Sequence, residues 1–308
     1  MTSVSETQAS RLFVILNPKA GTCTADVVKQ AVGRHFSCED GSCRIHETSG
    51  HENLAELARS AVDQGCDLIV AAGGDGTVSG VAEGLIGSRA SLGIIPLGTA
   101  NVLARELGIP VNLEAACTLL AGAHTLADID AMRINNQHYF TQVGVGIDAL
   151  MIRDTKTEHK RQFGRAAYLW TAGTRLIGFQ PRRFTLEVDG QTIRRRASQV
   201  VLANVGTLGQ PPFRWGPGIR PDDARIDVCI VRARTFWHYV ALAWHVVRGE
   251  HRQDRNVRYF VARQSVTVSL TKPLPVQADG EVIGETPILM QVVPKAVRVV
   301  APVSTEVG

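Results

Sequence analysis

Between Arg11 and Asp128, short apolar runs rich in β-branched residues alternate with amphipathic stretches, and this alternation constrains the fold more than any other feature of the chain. "LFVILN", "CRIHET", "DLIVAA" and "SLGIIPLG" read as strands. "TADVVKQAVGRHF", "HENLAELARSAVDQG", "TVSGVAEGLIG", "NVLARELG" and "LEAACTLLAG" read as helices. In the third of these, Val78, Val81, Ala82 and Leu85 recur at i, i+3, i+4 and i+7, which is one helical face. Strands alternating with helices predict a parallel sheet covered by helices.

After "LADIDAMRIN" the texture changes. "NQHYFTQVGVG", "RRFTLEVDGQTIRRRASQVVLANVG", "RIDVCIVRAR" and the long segment from Ser265 to Pro302 are strand-like pieces joined by turn signals. A mostly antiparallel β domain is expected, interrupted by two helical insertions, "GRAAYLWTAGTRLIG" and "TFWHYVALAWHVVRG". The boundary falls near residue 130, giving an α/β domain over 11–130 and a β domain over 131–303.

With 44% hydrophobic and 20% charged residues, the composition is that of a globular protein with a sizeable core. A net charge of +4 is too small to point to nucleic acid. The positive charge is uneven, however, being concentrated in "RDTKTEHKRQFGR" (Arg153 to Arg165) and in Arg194 to Arg196. Such runs attract phosphates or an anionic membrane surface, or simply form a solvated face. The six cysteines make no CxxC or His-spaced metal pattern, so free thiols in a reducing compartment are expected. The first ten residues lack the basic start and apolar stretch of a secretory leader. "FWHYVALAWHVV" (Phe236 to Val247) is shorter than the ~20 residues a membrane span requires, and it reads as core. A cytoplasmic protein is expected.

Chemistry is concentrated where the strands of the first domain end. "GGDGT" (Gly73 to Thr77) follows a buried strand and opens a helix. Glycines there let backbone N–H groups approach a ligand, and the helix N-terminus adds partial positive charge, so phosphate oxygens are the natural partner. Asp75 repels a phosphate unless it acts through Mg²⁺, through water or on a hydroxyl. A tight strand-to-helix connection, with Asp75 or Thr77 as N-cap, is the structural alternative. "LNPKAG" (Leu16 to Gly21) and "PLGTANVLARELGIP" (Pro96 to Pro110) end the first and fourth strands in the same way. Ligands of open α/β sheets bind at the carboxyl ends of strands, so three such ends predict a site.

NPKAG, GGDGT and GTANVLAREL, in this order, resemble the catalytic domain of the diacylglycerol kinase family, which includes bacterial lipid kinases, sphingosine kinases and ceramide kinases. The similarity continues through "YFTQVGVGIDA", "FGRAAYLWTA", "ANVGTLG", "GIRPDDARIDV" and "PVQADGE". It implies an N-terminal parallel α/β nucleotide-binding domain, a C-terminal β-sandwich, ATP, Mg²⁺, and phosphoryl transfer to a lipid hydroxyl at the inner face of a membrane. Carried over by motif, Asn17, Lys19 and Gly21 hold phosphates, Thr48 lies beside the nucleotide, Gly74, Asp75, Gly76 and Thr77 form the central loop, and Thr99 completes the site. Asp279 and Glu281 match the carboxylates that activate the acceptor hydroxyl, with Asp75 as a third catalytic candidate. Asp223 matches an acid at a structural magnesium site. A nucleotide and a lipid are the implied partners, with peripheral contact to an anionic membrane; a homodimer is left open.

The chain departs from the family pattern at three places. GTxND is Gly98-Thr99-Ala100-Asn101-Val102, so an acid is missing. GGDGTxNE becomes "GGDGTVSG", and DDG becomes Asp222-Asp223-Ala224. These departures bear on the acceptor and the metal sites more than on the nucleotide loop. "GVGIDA" fits the G-x-G-x-x-G/A pattern but lies late in the chain, with no strand ending in an acid about 20 residues on, which argues against a dehydrogenase. "EVDGQT" reads as a plain hairpin, and spacing alone reads "QADGEV" the same way. Two further readings stand beside the lipid kinase: an NAD kinase-like enzyme sharing GGDGT, and a catalytically weak lipid- or nucleotide-binding regulator.

Overall fold

The computed structural model describes residues 11–21, 23–37, 42–147, 149–150, 180–207, 214–216, 218–233, 237–238, 241, 244–245 and 256–303. Two compact units divide the chain: residues 1–129 with 295–308, and residues 130–294.

In the first unit β1 (Leu12–Leu16), β2 (Cys43–Glu47), β3 (Leu68–Gly73) and β4 (Ser91–Pro96) pair in parallel in the order β2-β1-β3-β4. The end of the last strand, β16 (Ile288–Ala301), adds a fifth parallel partner through Arg298 and Val299 beside Ser91 and Leu92. Helices α1 (Ala25–His35), α2 (Leu54–Asp63), α3 (Asp75–Leu85), α4 (Val102–Glu106) and α5 (Leu113–Ala121) follow the strands in alternation. β3 is buried along its whole length, as a central parallel strand covered on both faces must be. Val28 and Val32 of α1 and Cys117 and Leu120 of α5 pack on Val14, Leu16 and Val70. On α3 the predicted face is the buried one: Val78, Val81, Ala82 and Leu85. Asn53 and Asn112 cap α2 and α5 by accepting N–H bonds from the first helical turns.

The second unit is antiparallel. One layer follows the order β12 (Val257–Ala262), β11 (Ile226–Val231), β10 (Gln199–Ala203), β7 (Gln142–Gly146), β14 (Pro275–Ala278), β15 (Glu281–Glu285). The other contains β13 (Ser265–Leu270), β8 (Arg182–Val188), β9 (Gln191–Ala197) and the first part of β16, with β5 (Thr125–Ile134) and β6 (Gln137–Tyr139) beside it. Alternate residues meet in one core: Val143 and Val145, Val200 and Leu202, Val228 and Ile230 from one layer, Phe184 and Leu186, Val266 and Val268 from the other. The expected α/β domain plus antiparallel β-sandwich is the observed architecture.

Three sequence expectations need comment. Cys43 is disulfide-bonded rather than free, with a partner outside the described residues, whereas Cys23, Cys66, Cys117 and Cys229 are free. The absence of a metal spacing does not distinguish a thiol from a local crosslink. Trp237 and Trp244, expected in the core, are 74% and 57% exposed; seven residues apart, they share a helical face and are exposed together. The insertion "GRAAYLWTAGTRLIG" and the basic run from Arg153 to Arg165 lie outside the described residues, as does much of "TFWHYVALAWHVVRG". Among the described residues no helix is long and apolar enough to cross a membrane.

One departure in the GGDGT helix has a packing cause. Gly80 and Gly84 face α2: a Cβ at Gly80 would stand 3.0 Å from Leu54 Cδ1, and one at Gly84 would run into the Ala55 carbonyl and lie 2.8 Å from Ala58 Cβ. The two helices therefore approach closely through glycines one turn apart, and a side chain at position 80 would have to displace Leu54. Gly84→Val is expected to cost about 2–3 kcal/mol through overpacking, read as a lower urea midpoint. An unchanged midpoint would show that the helix contact is not tight.

Candidate active site

The four strands of the first unit end in a row, and their ladder continues into the loops. Thr48 N–H donates to Leu16 O at 2.8 Å, Asn17 N–H to Ala72 O at 2.9 Å, and Leu97 N–H to Gly73 O at 2.9 Å. This brings together every residue of the first unit that the motifs single out. Asn17 Nδ2 donates to Thr77 Oγ1 at 3.2 Å, and Asn17 Oδ1 accepts from Lys19 N–H at 3.0 Å. Gly21 has φ +70°, and a Cβ there would run into the Leu97 carbonyl, so NPKAG is pressed against the fourth strand end. Gly98 stands equally close to Gly74: a Cβ on it would lie 2.7 Å from Gly74 Cα. Thr77 and Thr48 are buried, whereas Lys19, Gly76 and Thr99 face solvent.

Gly76 has open space around the position of a Cβ, so nothing in the protein itself requires glycine there. Gly76 is exposed in the first turn of α3, where Thr77 N–H donates to Gly74 O at 2.9 Å and the N–H groups of Asp75 and Gly76 precede the first intrahelical bond. The cap of this helix is Gly74, which supplies no side-chain hydrogen bond. Neither Asp75 nor Thr77 is its N-cap.

Asp75 instead points to the next loop. Its Oδ2 accepts from Asn101 N–H at 3.0 Å and its Oδ1 from Val102 N–H at 2.6 Å. These donors open α4, a helix whose own cap residue, Asn101, is left-handed with φ 48° and turns its side chain back to Gly98 O. Asp75 therefore fastens the GTAN loop to the GGDGT loop. A similar arrangement follows Thr48: the Glu52 carboxylate accepts from the N–H groups of Ser49, Gly50 and His51 and from the Ser49 hydroxyl, which holds its pKa down to about 2.

In the second unit Asp279 and Glu281 flank the turn between β14 and β15, and they have opposite situations. Asp279 is left-handed with φ 45° and is followed by Gly280 at φ 87°. Its Oδ1 accepts from Thr141 N–H at 3.0 Å, Thr141 Oγ1 at 2.5 Å and Gln142 N–H at 3.2 Å, and its Oδ2 from Phe140 N–H at 3.0 Å. Four donors take most of what a carboxylate can accept. Glu281 is exposed, and its carboxylate makes no hydrogen bond or ion pair among the described residues.

The hairpin turn "EVDGQT" uses the same device. Asp189 has φ 47° and Gly190 φ 81°, and the Asp189 carboxylate accepts from the N–H groups of Arg263, Gln264 and Ser265, which lead into β13. These hydrogen bonds hold its pKa below the usual carboxylate range. Both Asp-Gly turns thus fasten the start of a neighbouring strand, although only one was singled out from the sequence.

Asp223 lies elsewhere in the second unit. Its Oδ2 accepts from Arg225 Nε at 2.9 Å, and its Oδ1 is buried without a partner. Asp130 organises the surroundings: its N–H donates to Pro221 O, its carbonyl accepts from Asn204 Nδ2, and its Oδ2 accepts from Ala224 N–H at 2.7 Å. Asn204 Oδ1 is also buried and unpartnered. An orphaned carboxylate oxygen suits a hard cation such as Mg²⁺. Among the described residues no three His, Cys, Asp or Glu side chains cluster as a metal set, so carbonyl, amide or water oxygens would complete the coordination. Ala224, in place of the family's glycine, adopts φ 57°, a conformation that costs a non-glycine residue roughly 1 kcal/mol. Asp130 and Asn204 carried no sequence signal beyond being polar within strand-like text.

The family model described as the diacylglycerol kinase catalytic domain matches residues 11–134, and the one described as the YegS C-terminal NAD kinase β-sandwich-like domain matches residues 141–301. The chain belongs to the diacylglycerol kinase catalytic-domain family. A diacylglycerol kinase from Bacillus subtilis is 28% identical over 281 residues, covering 90% of this chain and 91% of its own. A diacylglycerol kinase from Mycobacterium tuberculosis is 27% identical over 308 residues, covering 96% of each. A crystal structure of a Bacillus anthracis diacylglycerol kinase superposes with a TM-score of 0.78 at 23% identity, covering 95% of this chain and 97% of the other, and it supports the fold.

If the Asp279 bonds are a clamp, Asp279→Asn will destabilise the protein by about 1–3 kcal/mol, the cost of leaving buried donors unmatched. Asp189→Asn, whose donors are exposed, will lower stability by less. Urea titration checks both. A wild-type midpoint for Asp279→Asn beside a lowered one for Asp189→Asn would show that the two turns do not share a role.

Proposed function

We propose that this member of a lipid kinase family transfers the γ-phosphoryl group of ATP, with Mg²⁺, to the hydroxyl of a lipid of the diacylglycerol type. The observation that carries the reading is the row of strand ends, where Asn17 bonds to the Thr77 hydroxyl and to Lys19 N–H beside the exposed glycine corner at Gly76. Such a corner accepts phosphate oxygens through backbone donors, and the N-terminus of α3 favours their charge. Asn17, Lys19, Gly21 and Thr48 hold and flank the nucleotide, and Gly74 to Thr77 cradle its phosphates. Asp75 acts by fixing the GTAN loop, so that Thr99 is presented to the nucleotide.

Phosphoryl transfer demands positioning and charge stabilisation more than covalent chemistry from the protein. Mg²⁺ bound with the nucleotide supplies charge neutralisation at the phosphates, and Asp223 is the side chain suited to a second, structural ion. In the proposed step the acceptor hydroxyl oxygen bonds to the γ-phosphorus as the bond to the β-phosphate oxygen breaks. The hydroxyl proton passes to Glu281, and ADP leaves. Glu281 is preferred over Asp279 as the base because its carboxylate has no other partner among the described residues, while Asp279 is committed to four donors.

A second reading, phosphorylation of NAD, draws on the NAD kinase-like description of the C-terminal domain. Incubation with labelled ATP, Mg²⁺, NAD and a panel of lipids in mixed micelles separates the two, and label is expected in lipid. Glu281→Gln should then lower kcat by about 100-fold or more, the usual scale for loss of a general base, with ATP affinity unchanged. A wild-type turnover in Glu281→Gln would remove this residue from the mechanism.

A further inference from the structure

The outer face of the β8–β9 hairpin carries a charge cluster that the fold does not use. β8 reads RRFTLEV and β9 reads QTIRRRA; five arginines against the single Glu187 leave +4, as much as the formal net charge of the whole 308-residue chain. All five arginines are exposed, and none forms an ion pair among the described residues.

The register shows which of them share a surface. Phe184, Leu186 and Val188 turn inward to the sandwich core, so Arg183, Thr185 and Glu187 turn outward. Arg183 is paired with Arg196, Thr185 with Arg194 and Glu187 with Thr192, which places Arg183, Arg194 and Arg196 on the outer face. The Cβ atoms of directly opposed residues stand about 5 Å apart, and like charges placed opposite one another destabilise the pair. The face continues through Thr267 and Ser269 of β13 to Leu289 of β16, which is 52% exposed. β9 ends its sheet, and one or two charges suffice to keep an edge strand from pairing with another chain. Three arginines on one face, two directly opposed, go beyond that need.

We propose that this face, centred on Arg183, Arg194 and Arg196, docks the protein on an anionic phospholipid surface. The occupant follows from charge complementarity with an exposed, polar sheet face, and from the lipid acceptor of the proposed function, on which the inference rests. A lipid surface neutralises all three guanidinium groups at once and relieves the Arg183–Arg196 repulsion. An exposed Leu289 on the same face suits the boundary between headgroups and acyl chains.

The test is sedimentation of the full chain with phosphatidylglycerol-containing vesicles and with pure phosphatidylcholine vesicles, for the wild type and R183Q/R194Q/R196Q. Each basic side chain at an anionic surface strengthens binding about fivefold, so the triple variant should bind the anionic vesicles roughly 100-fold more weakly. Wild-type binding should weaken with salt and be absent on phosphatidylcholine. The variant should melt at or above the wild-type temperature, since it removes a like-charge pair, and should keep wild-type turnover of a short-chain soluble lipid acceptor. Equal vesicle binding by variant and wild type, or no binding by wild type, overturns the docking face. So does tighter binding of a short RNA than of the vesicles, which would assign the arginines to nucleic acid. Salt-sensitive, arginine-dependent vesicle binding by a protein that phosphorylates no lipid would instead overturn the proposed function and leave the docking face standing.

Discussion

Carboxylates that accept backbone N–H groups from a distant loop are the interaction on which the candidate site depends. A chain that reverses direction at strand ends leaves donors without partners, and each buried one is costly unless it is matched. Asp75, Asp189 and Asp279 all solve this problem in the same way. Asp75 takes the two donors that open α4, and Asp279 takes three backbone donors and a hydroxyl at the entry to β7. Each fastens segments far apart in sequence, and the loops then hold their shape without a ligand.

This division of labour changes how the acidic motifs are understood. An acid in a phosphate-facing loop invites a direct catalytic role, yet both oxygens of Asp75 are occupied by the protein's own backbone. Asp279 is in the same position. Glu281, two residues further on, has its carboxylate unengaged among the described residues, which is why the proposed mechanism gives it the proton. Of the three departures from the family pattern, only Gly80 has a packing counterpart, its close approach to Leu54. Nothing in the structure explains Val102, whose backbone N–H any residue but proline would lend to Asp75, or Ala224, which bears a left-handed backbone beside Asp130.

Local pattern carried most of the fold. The alternation of apolar runs placed β1 to β4 and α1 to α5, because a parallel sheet covered on both faces writes its burial directly into residue type. The strand ends likewise announced the site through glycine, asparagine and threonine. Long-range partnerships were not legible. Nothing near Asp75 in the sequence points to Asn101 and Val102, and nothing near Asp279 points to Phe140 through Gln142. The resemblance between "EVDGQT" and "QADGEV" was visible as spacing, but their common use of the aspartate required the hydrogen bonds. The return of β16 to the first unit was hidden for the same reason, since its pairing with β4 joins residues more than two hundred positions apart. Exposure of Trp237 and Trp244 was also missed, because aromatic content alone does not say which face of a segment is covered.

The central claim is that the Asp75 carboxylate, through two backbone bonds, sets the loop that follows β4. Amide hydrogen exchange in the ligand-free protein, comparing wild type with Asp75→Ala, tests it at the atoms concerned. The account expects protection at Asn101 and Val102 in the wild type and loss of at least tenfold in the variant, the scale of one hydrogen bond to a charged group, while amides in the middle of β3 and β4 keep their rates. Unchanged exchange at Asn101 and Val102 would contradict it.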